Sequence, residues 1–346
     1  MSLFLSMKKI LLLSAAILLA LGSSCRWVRL AHQALTYRTT AVGEAANVVA
    51  NGAFAYATLA EEGLAVVDAS TGRRVAVVPP PPGSGSIDDV ALADGLLFAL
   101  DARKPGALSV FRLEGPGGPA LVSGPVAVDV GPFSGVSAAA GRVIVSGGTS
   151  LLSLRAYDAE GNLGDLSATT DLGRGQPDVL LSPDGQTAYV STHYTGPDFG
   201  LRTLDIGLNS LSPSGNLPLD GAGFTPGGAK PANFPIEAAL SGPTLWIAYD
   251  GGLAAVDVSN AASPKLLNSL ALELEAVNVD AEGGLAAAVG AKPSPKLVWV
   301  DIADPRSPRI LRTVDLPAGA YPTGVALAGG RAVVAAHGAG VLIVDR

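Results

Sequence analysis

Six times along the chain an apolar run closes on Asp, and a seventh copy closes on Arg. The clearest copies are Leu64-Ala65-Val66-Val67-Asp68, Leu253-Ala254-Ala255-Val256-Asp257, Leu297-Val298-Trp299-Val300-Asp301 and Val341-Leu342-Ile343-Val344-Asp345. Looser copies end at Asp158 and Asp205, and Leu108-Ser109-Val110-Phe111-Arg112 carries Arg at the closing position. The closing positions 68, 112, 158, 205, 257, 301 and 345 are separated by steps of 44, 46, 47, 52, 44 and 44 residues. A chain of 346 residues would ordinarily suggest two domains, but a repeat at this spacing calls for an array of one small unit.

Each repeat has the same grammar. A short strand of small apolar residues, such as Val48-Val49-Ala50 or Val90-Ala91-Leu92, runs into a tight turn, such as Asn51-Gly52, Asp94-Gly95 or Gly329-Gly330. Asn-Gly and Asp-Gly supply the positive φ angles that two-residue hairpins need. A second strand follows (Phe54 to Ala57, Leu245 to Ala248), then the apolar-to-Asp strand, then a returning fourth such as Arg309 to Val314. Four antiparallel strands in about 43 residues is the pattern of a propeller blade. Seven units open near residues 44, 86, 133, 176, 233, 274 and 320, and the seventh reaches Arg346 after its third strand. An unpaired edge there would invite aggregation. The Thr-, Tyr- and Val-rich stretch 34–42 belongs to no repeat of its own and fits as the missing strand. The expectation is an all-β, seven-bladed β-propeller over residues 34–346, its last blade closed by the N-terminal strand at residues 34–42.

The segments Leu253–Pro264 and Leu297–Pro308 continue past their Asp as Val-Ser-Asn-Ala-Ala-Ser-Pro and Ile-Ala-Asp-Pro-Arg-Ser-Pro. In this they resemble the LVIVD-repeat family of bacterial β-propellers. The resemblance is close in blades 5 to 7, partial in blade 1 and weak in blades 2 to 4. In blade 4, Leu181-Ser182-Pro183-Asp184-Gly185 followed by Ala188-Tyr189-Val190-Ser191 is similar to the turn and second strand of lactonase-type and YVTN-type propellers. The family implies a seven-bladed fold and binding at a surface or envelope, without one assigned reaction.

The start of the chain reads as an address. Met7-Lys8-Lys9 is a basic n-region, Ile10 to Leu21 an apolar h-region, and Gly22-Ser23-Ser24 precede Cys25, the single cysteine. The apolar stretch is short for a bilayer core of about 30 Å. Met7 is an alternative start. The segment is similar to a bacterial lipoprotein signal, which implies removal of residues 1–24 and acylation of Cys25, with residues 25–33 as a tether. It departs from the usual pattern in having Gly22 three residues before the cysteine and Leu21 one further back. An ordinary secretory signal with a chance cysteine is the competing reading. Several acyl chains on one residue anchor firmly where a single chain does not. The expected location is the outer membrane or cell surface, with the periplasmic side open, and membrane contact through the lipid alone. Net charge is −7, or −9 once the two leader lysines are gone, which argues against nucleic acid as a partner.

Candidate sites gather where first strands begin and second strands end. Asp89, Asp178, Glu237 and Glu275, read as starts of first strands, are candidates for holding a divalent cation such as Ca2+. Asp101, Asp250, His193 and His337, at the ends of second strands, are candidates for binding, with His193 and His337 at nearly equivalent positions of blades 4 and 7. The long stretches 193–200 and 220–234 add Tyr194, Phe199 and Phe224, since elaborated loops on a rigid scaffold are where binding concentrates. The repeated Asp residues are expected to accept backbone N–H groups in the turns that end the third strands. No phosphate-binding loop and no Gly-x-Ser-x-Gly elbow is present, and one Cys with three His cannot assemble a structural zinc site. These observations favour a non-enzymatic scaffold for an envelope protein or a small ligand, with no resident cofactor. The alternative is a cation-dependent, lactonase-type hydrolase with its site at the channel mouth.

Overall fold

The computed structural model describes residues 37–40, 45–103, 106–115, 118–128, 135–147, 151–172, 178–192, 200–219 and 237–346. The chain divides into two compact units, residues 1–38 and 39–346. Only Tyr37 and Arg38 of the first are described, so the leader, Cys25 and the tether lie outside the described residues.

The described strands form seven antiparallel sheets. Strand β1 (Tyr37–Thr40) comes first in the chain but is placed in the last sheet. Blade 1 is β2 (Val48–Asn51), β3 (Phe54–Thr58), β4 (Leu64–Asp68) and β5 (Arg73–Val78). Blade 2 is β6 (Asp89–Ala93), β7 (Leu96–Asp101), β8 (Gly106–Arg112) and β9 (Ala120–Val128), and blade 3 is β10 (Gly135–Ala139), β11 (Arg142–Gly147), β12 (Leu151–Tyr157) and β13 (Leu163–Asp171). Blade 4 is β14 (Asp178–Leu181), β15 (Thr187–Thr192), β16 (Gly200–Ile206) and β17 (Leu211–Pro218). In blade 5, β18 (Ala238–Ser241) and β20 (Lys265–Glu275) flank β19 (Thr244–Asp257), a 14-residue stretch holding both the second and third strands of the repeat. Gly251, at a φ of 95°, marks the turn inside it.

Blade 6 is β21 (Asn278–Glu282), β22 (Leu285–Gly290), β23 (Lys296–Asp301) and β24 (Arg309–Asp315). Blade 7 is β25 (Gly324–Ala328), β26 (Arg331–Ala335) and β27 (Val341–Asp345), with β1 beside β27 as its fourth strand. The architecture is the expected seven-bladed β-propeller, closed by a strand from the start of the chain.

The burial pattern explains why the third strands are continuous apolar runs and not alternating ones. A central strand of a blade is covered on both faces by neighbouring blades, so both sets of side chains must be apolar. In β4 and β27 the four residues before the final Asp are fully buried. Outer strands have one edge in water and alternate or are mostly exposed, as in β5 and β24. Each buried Val, Leu or Ile of the inner strands contributes roughly 1.5–3 kcal/mol.

The hairpin turns follow the glycine grammar, with positive φ at both central residues of Asp94-Gly95, Ala140-Gly141, Gly283-Gly284 and Gly329-Gly330. The repeated Asp behaves as expected at four blades. The Asp68 carboxylate accepts from the backbone N–H of Ser70 and Thr71 (2.8 and 3.1 Å), and Asp257 and Asp301 accept from the N–H of Ser259 and Ala303. Asp158, the fourth, accepts from the backbone N–H and the side-chain amide of Asn162, while Asp345 pairs with Arg331 at 2.7 Å and Asp205 is exposed.

Candidate functional site: the inner ring of first strands

Alignment of the seven first hairpins on the residue that precedes each turn brings one position into register. It is occupied by Asn47, Asp89, Gly135, Asp178, Glu237, Asn278 and Gly324, each four residues before the residue that precedes its hairpin turn. Polar members of this set line a cavity of about 370 Å³ at the inner ends of the blades. Asp89, Asp178 and Glu237, expected from the sequence, meet there.

The side chains of this ring bridge blade to blade. Asn47 donates from its amide to the Asp89 carboxylate, joining blades 1 and 2. Asp89 accepts from the N–H of Val136 at 2.7 Å, joining blades 2 and 3. At the next inward-facing position Ser137 Oγ accepts from the N–H of Leu181 (2.9 Å), joining blades 3 and 4. Asp178 accepts from the N–H of Ala238 across the seam of blades 4 and 5, and from that of Val179 on its own strand. Asn278 donates to Glu237 between blades 5 and 6. It also accepts from the N–H of Val325 (3.3 Å), and Asp280 accepts from that of Leu327 (2.6 Å), joining blades 6 and 7. Thr323 Oγ1 donates to the carbonyl of Ala46 at 2.6 Å and closes the ring from blade 7 to blade 1. All seven seams therefore carry a side-chain hydrogen bond near the inner strands.

Two members of the ring are glycine, and Gly135 sets the electrostatics. A Cβ there would lie 3.5 Å from Asp89 Oδ2 and 3.6 Å from Asp178 Oδ1, so no side chain of blade 3 stands at that point between the two carboxyl groups. Two charges no more than about 7 Å apart repel by at least about 2 kcal/mol at an effective dielectric of about 20. Among the described residues lining the cavity there is no Lys, Arg or His. Burial pushes the Asp89 carboxyl up to about 6, against the pull of N–H donors from Val136 and Val90 and the Asn47 amide. Burial, then the charge of Asp89, pushes Asp178 up to about 7. Glu237 is raised well above the usual carboxylate range by burial, then by Asp178 and Asp89. Asp280 is raised by burial.

The fourth candidate does not join them. Glu275 is the last residue of β20, the outer strand of blade 5, where it pairs with Lys292 (3.1 Å) and not with the ring. The first strand of blade 6 starts three residues later, with Asn278 at the ring position. Among the described residues no group of three acidic, His or Cys side chains has the geometry to hold a metal ion, and of the four candidates Glu275 pairs with Lys292 away from the other three.

Asp101 is not available as a binding group either. It is buried and accepts from the N–H of Gly85 (2.6 Å), Ser86 (3.3 Å) and Arg103 (3.0 Å), and from the hydroxyls of Ser84 and Ser86. Burial raises its carboxyl, but these bonds outweigh it and leave the group below its ordinary value. His337 sits at the seam of blades 7 and 1 with a φ of 42°, its N–H bonded to the carbonyl of Ala45 (2.8 Å) and its ring 5.6 Å from that of Tyr321. Asp250 lies opposite Glu275 in the register of β19 and β20. His193, Tyr194, Phe199 and Phe224 lie outside the described residues. Asn47, Asn278, Asp280 and the two glycines escaped the sequence reading, which considered only charged residues near strand starts. Counting back four positions from each hairpin turn would have found the ring.

The LVIVD repeat family model matches residues 42–71 and 237–271, which fall on blades 1 and 5. Similar solved structures include a protein from Lactobacillus plantarum, at 16% identity over 79% of this chain and 86% of that one, with a TM-score of 0.63. The WD40 repeats of RRP9 align over 90% of this chain and 97% of theirs at 13% identity and a TM-score of 0.60. U3-55K aligns over 91% and 99% at 12% identity and a TM-score of 0.59. At these identities the likeness is one of fold. No curated protein sequence matches the chain. With LVIVD repeats matched in blades 1 and 5 and the described strands forming seven sheets, the chain is a seven-bladed β-propeller that carries LVIVD repeats.

Proposed function

We propose that this propeller is a non-enzymatic interaction scaffold tethered to the cell envelope through an acylated Cys25. The observation that supports the scaffold reading is the engagement of the inner ring. The carboxylates that a channel-mouth hydrolase would direct at a substrate instead hold neighbouring blades together at the seams. That leaves partner binding to the loops between blades and between second and third strands, which differ most in length in blades 4 and 5. The tether reading rests on the sequence alone, on the basic, apolar and small-residue segments that precede Cys25.

Two measurements test the proposal. Cys25→Ala should abolish incorporation of a labelled fatty acid and release the protein from the membrane fraction; unchanged labelling refutes the anchor. In-cell cross-linking should capture an envelope protein, and capture should be lost when residues 193–200 are replaced by a Gly-Ser linker of equal length while the melting temperature holds. Capture that survives the replacement rules out that loop as the interface. Lactone hydrolysis by the purified chain would overturn the non-enzymatic reading.

A further inference from the structure

We propose that Asp89, Asp178 and Glu237 act together as a proton-dependent latch on the propeller ring, which holds the inner seams tightly closed in acid and loosens them as the three groups ionise.

The argument rests on where the three groups stand. They come from blades 2, 4 and 5, face one cavity, and each bridges a seam. Gly135 in blade 3 is the one ring position between Asp89 and Asp178, and it places no side chain between them. Among the described residues, the groups facing them from the surrounding strands give no counter-charge. Blade 1 presents Asn47, blade 2 adds Asp88 beside Asp89, and blade 3 presents Gly135 and Ser137. Blade 6 presents Asn278 and a further acid, Asp280, and blade 7 presents the apolar residues Val325 and Ala326. Asp88 is itself tied to Ser86 and to the N–H of Ala102. Repulsion among three ionised carboxylates is relieved by separating the blades that carry them, because each first strand is paired to the second strand of its own blade. Ionisation and opening of the seams are therefore one linked equilibrium.

The direction follows from the folded-state shifts, all of which are upward. The closed ring binds more protons than the opened chain between the ordinary carboxylate value and about pH 7. Stability from these groups is complete in acid and falls as pH rises through that interval. For a carboxylate held by basic partners the dependence would run the other way.

Thermal melting of the full chain between pH 4.5 and pH 8.5 tests the latch, alongside Asp178→Asn and Glu237→Gln, which keep hydrogen-bonding capacity without charge. The melting temperature of the unaltered protein should fall by about 5 °C across the interval, and each variant should remove half of that fall or more. A flat or rising profile, or variants that run parallel to the unaltered protein, overturns the proposal. Should either variant fail to fold, hydrogen exchange on the unaltered chain decides the matter. The seam amides of Val136, Ala238 and Val325, corrected for intrinsic exchange, should be less protected at pH 8 than at pH 5, while Val333 inside blade 7 is unchanged. Equal seam protection at both values refutes the latch.

Discussion

Asp101 accepts five hydrogen bonds within its own blade, so its removal orphans several donors at once. Asp101→Ala should destabilise the protein by roughly 2–3 kcal/mol in denaturant unfolding, without altering any partner binding. Its carboxyl lies below its ordinary value, so its contribution is present at neutral pH and is lost as pH falls below the ordinary carboxylate range. This is the opposite of the ring acids. Gly135 offers a second test at this scale. A methyl group there would make ordinary contacts at 3.4 to 3.6 Å with Ser146, Asp89 and Asp178 and add apolar volume beside the two carboxyl groups. Gly135→Ala should fold and shift the titration of Asp89 and Asp178 to higher pH, measurable from their carboxyl carbon resonances.

Each blade must bring its third strand close against its fourth, and small residues make this possible where the third strand begins. At Gly63, Gly200 and Gly252 an added Cβ would fall well inside van der Waals contact of the carbonyl oxygens of Val78, Leu217 and Leu270 on the fourth strands. Gly63 also has a φ of 97°, whereas Gly252 is excluded by space alone. Gly252→Ala should therefore destabilise blade 5 by about 1–3 kcal/mol, read as a lower melting temperature and faster exchange at Leu270 and Ala271. The strand pattern was legible in the sequence because pairing needs both-faced apolar runs in the inner strands and Asx-type turns after them. The extent of β20 was not. Leu270-Ala271-Leu272-Glu273-Leu274-Glu275 alternates as a strand should, yet whether it closes blade 5 or opens blade 6 depends on pairing with β19, which local pattern does not encode. Glu275 was misassigned for that reason.

At the scale of the whole molecule, closure depends on strands distant in sequence. β1 lies beside β27, and Thr323 and His337 bond to Ala46 and Ala45. A chain begun at residue 41 should leave β27 as a bare edge, lower the melting temperature and populate dimers or aggregates in light scattering. The seven-fold count, the turn chemistry and the closing strand follow from the sequence alone, because each is a local pattern repeated at a constant step. The inner ring does not. Asn47, Asp89, Asp178, Glu237 and Asn278 follow one another at separations of 41 to 89 residues and share no motif. Only the radial stacking of first strands places them around one cavity, where burial and neighbouring carboxylates raise Asp89, Asp178 and Glu237 above their ordinary values.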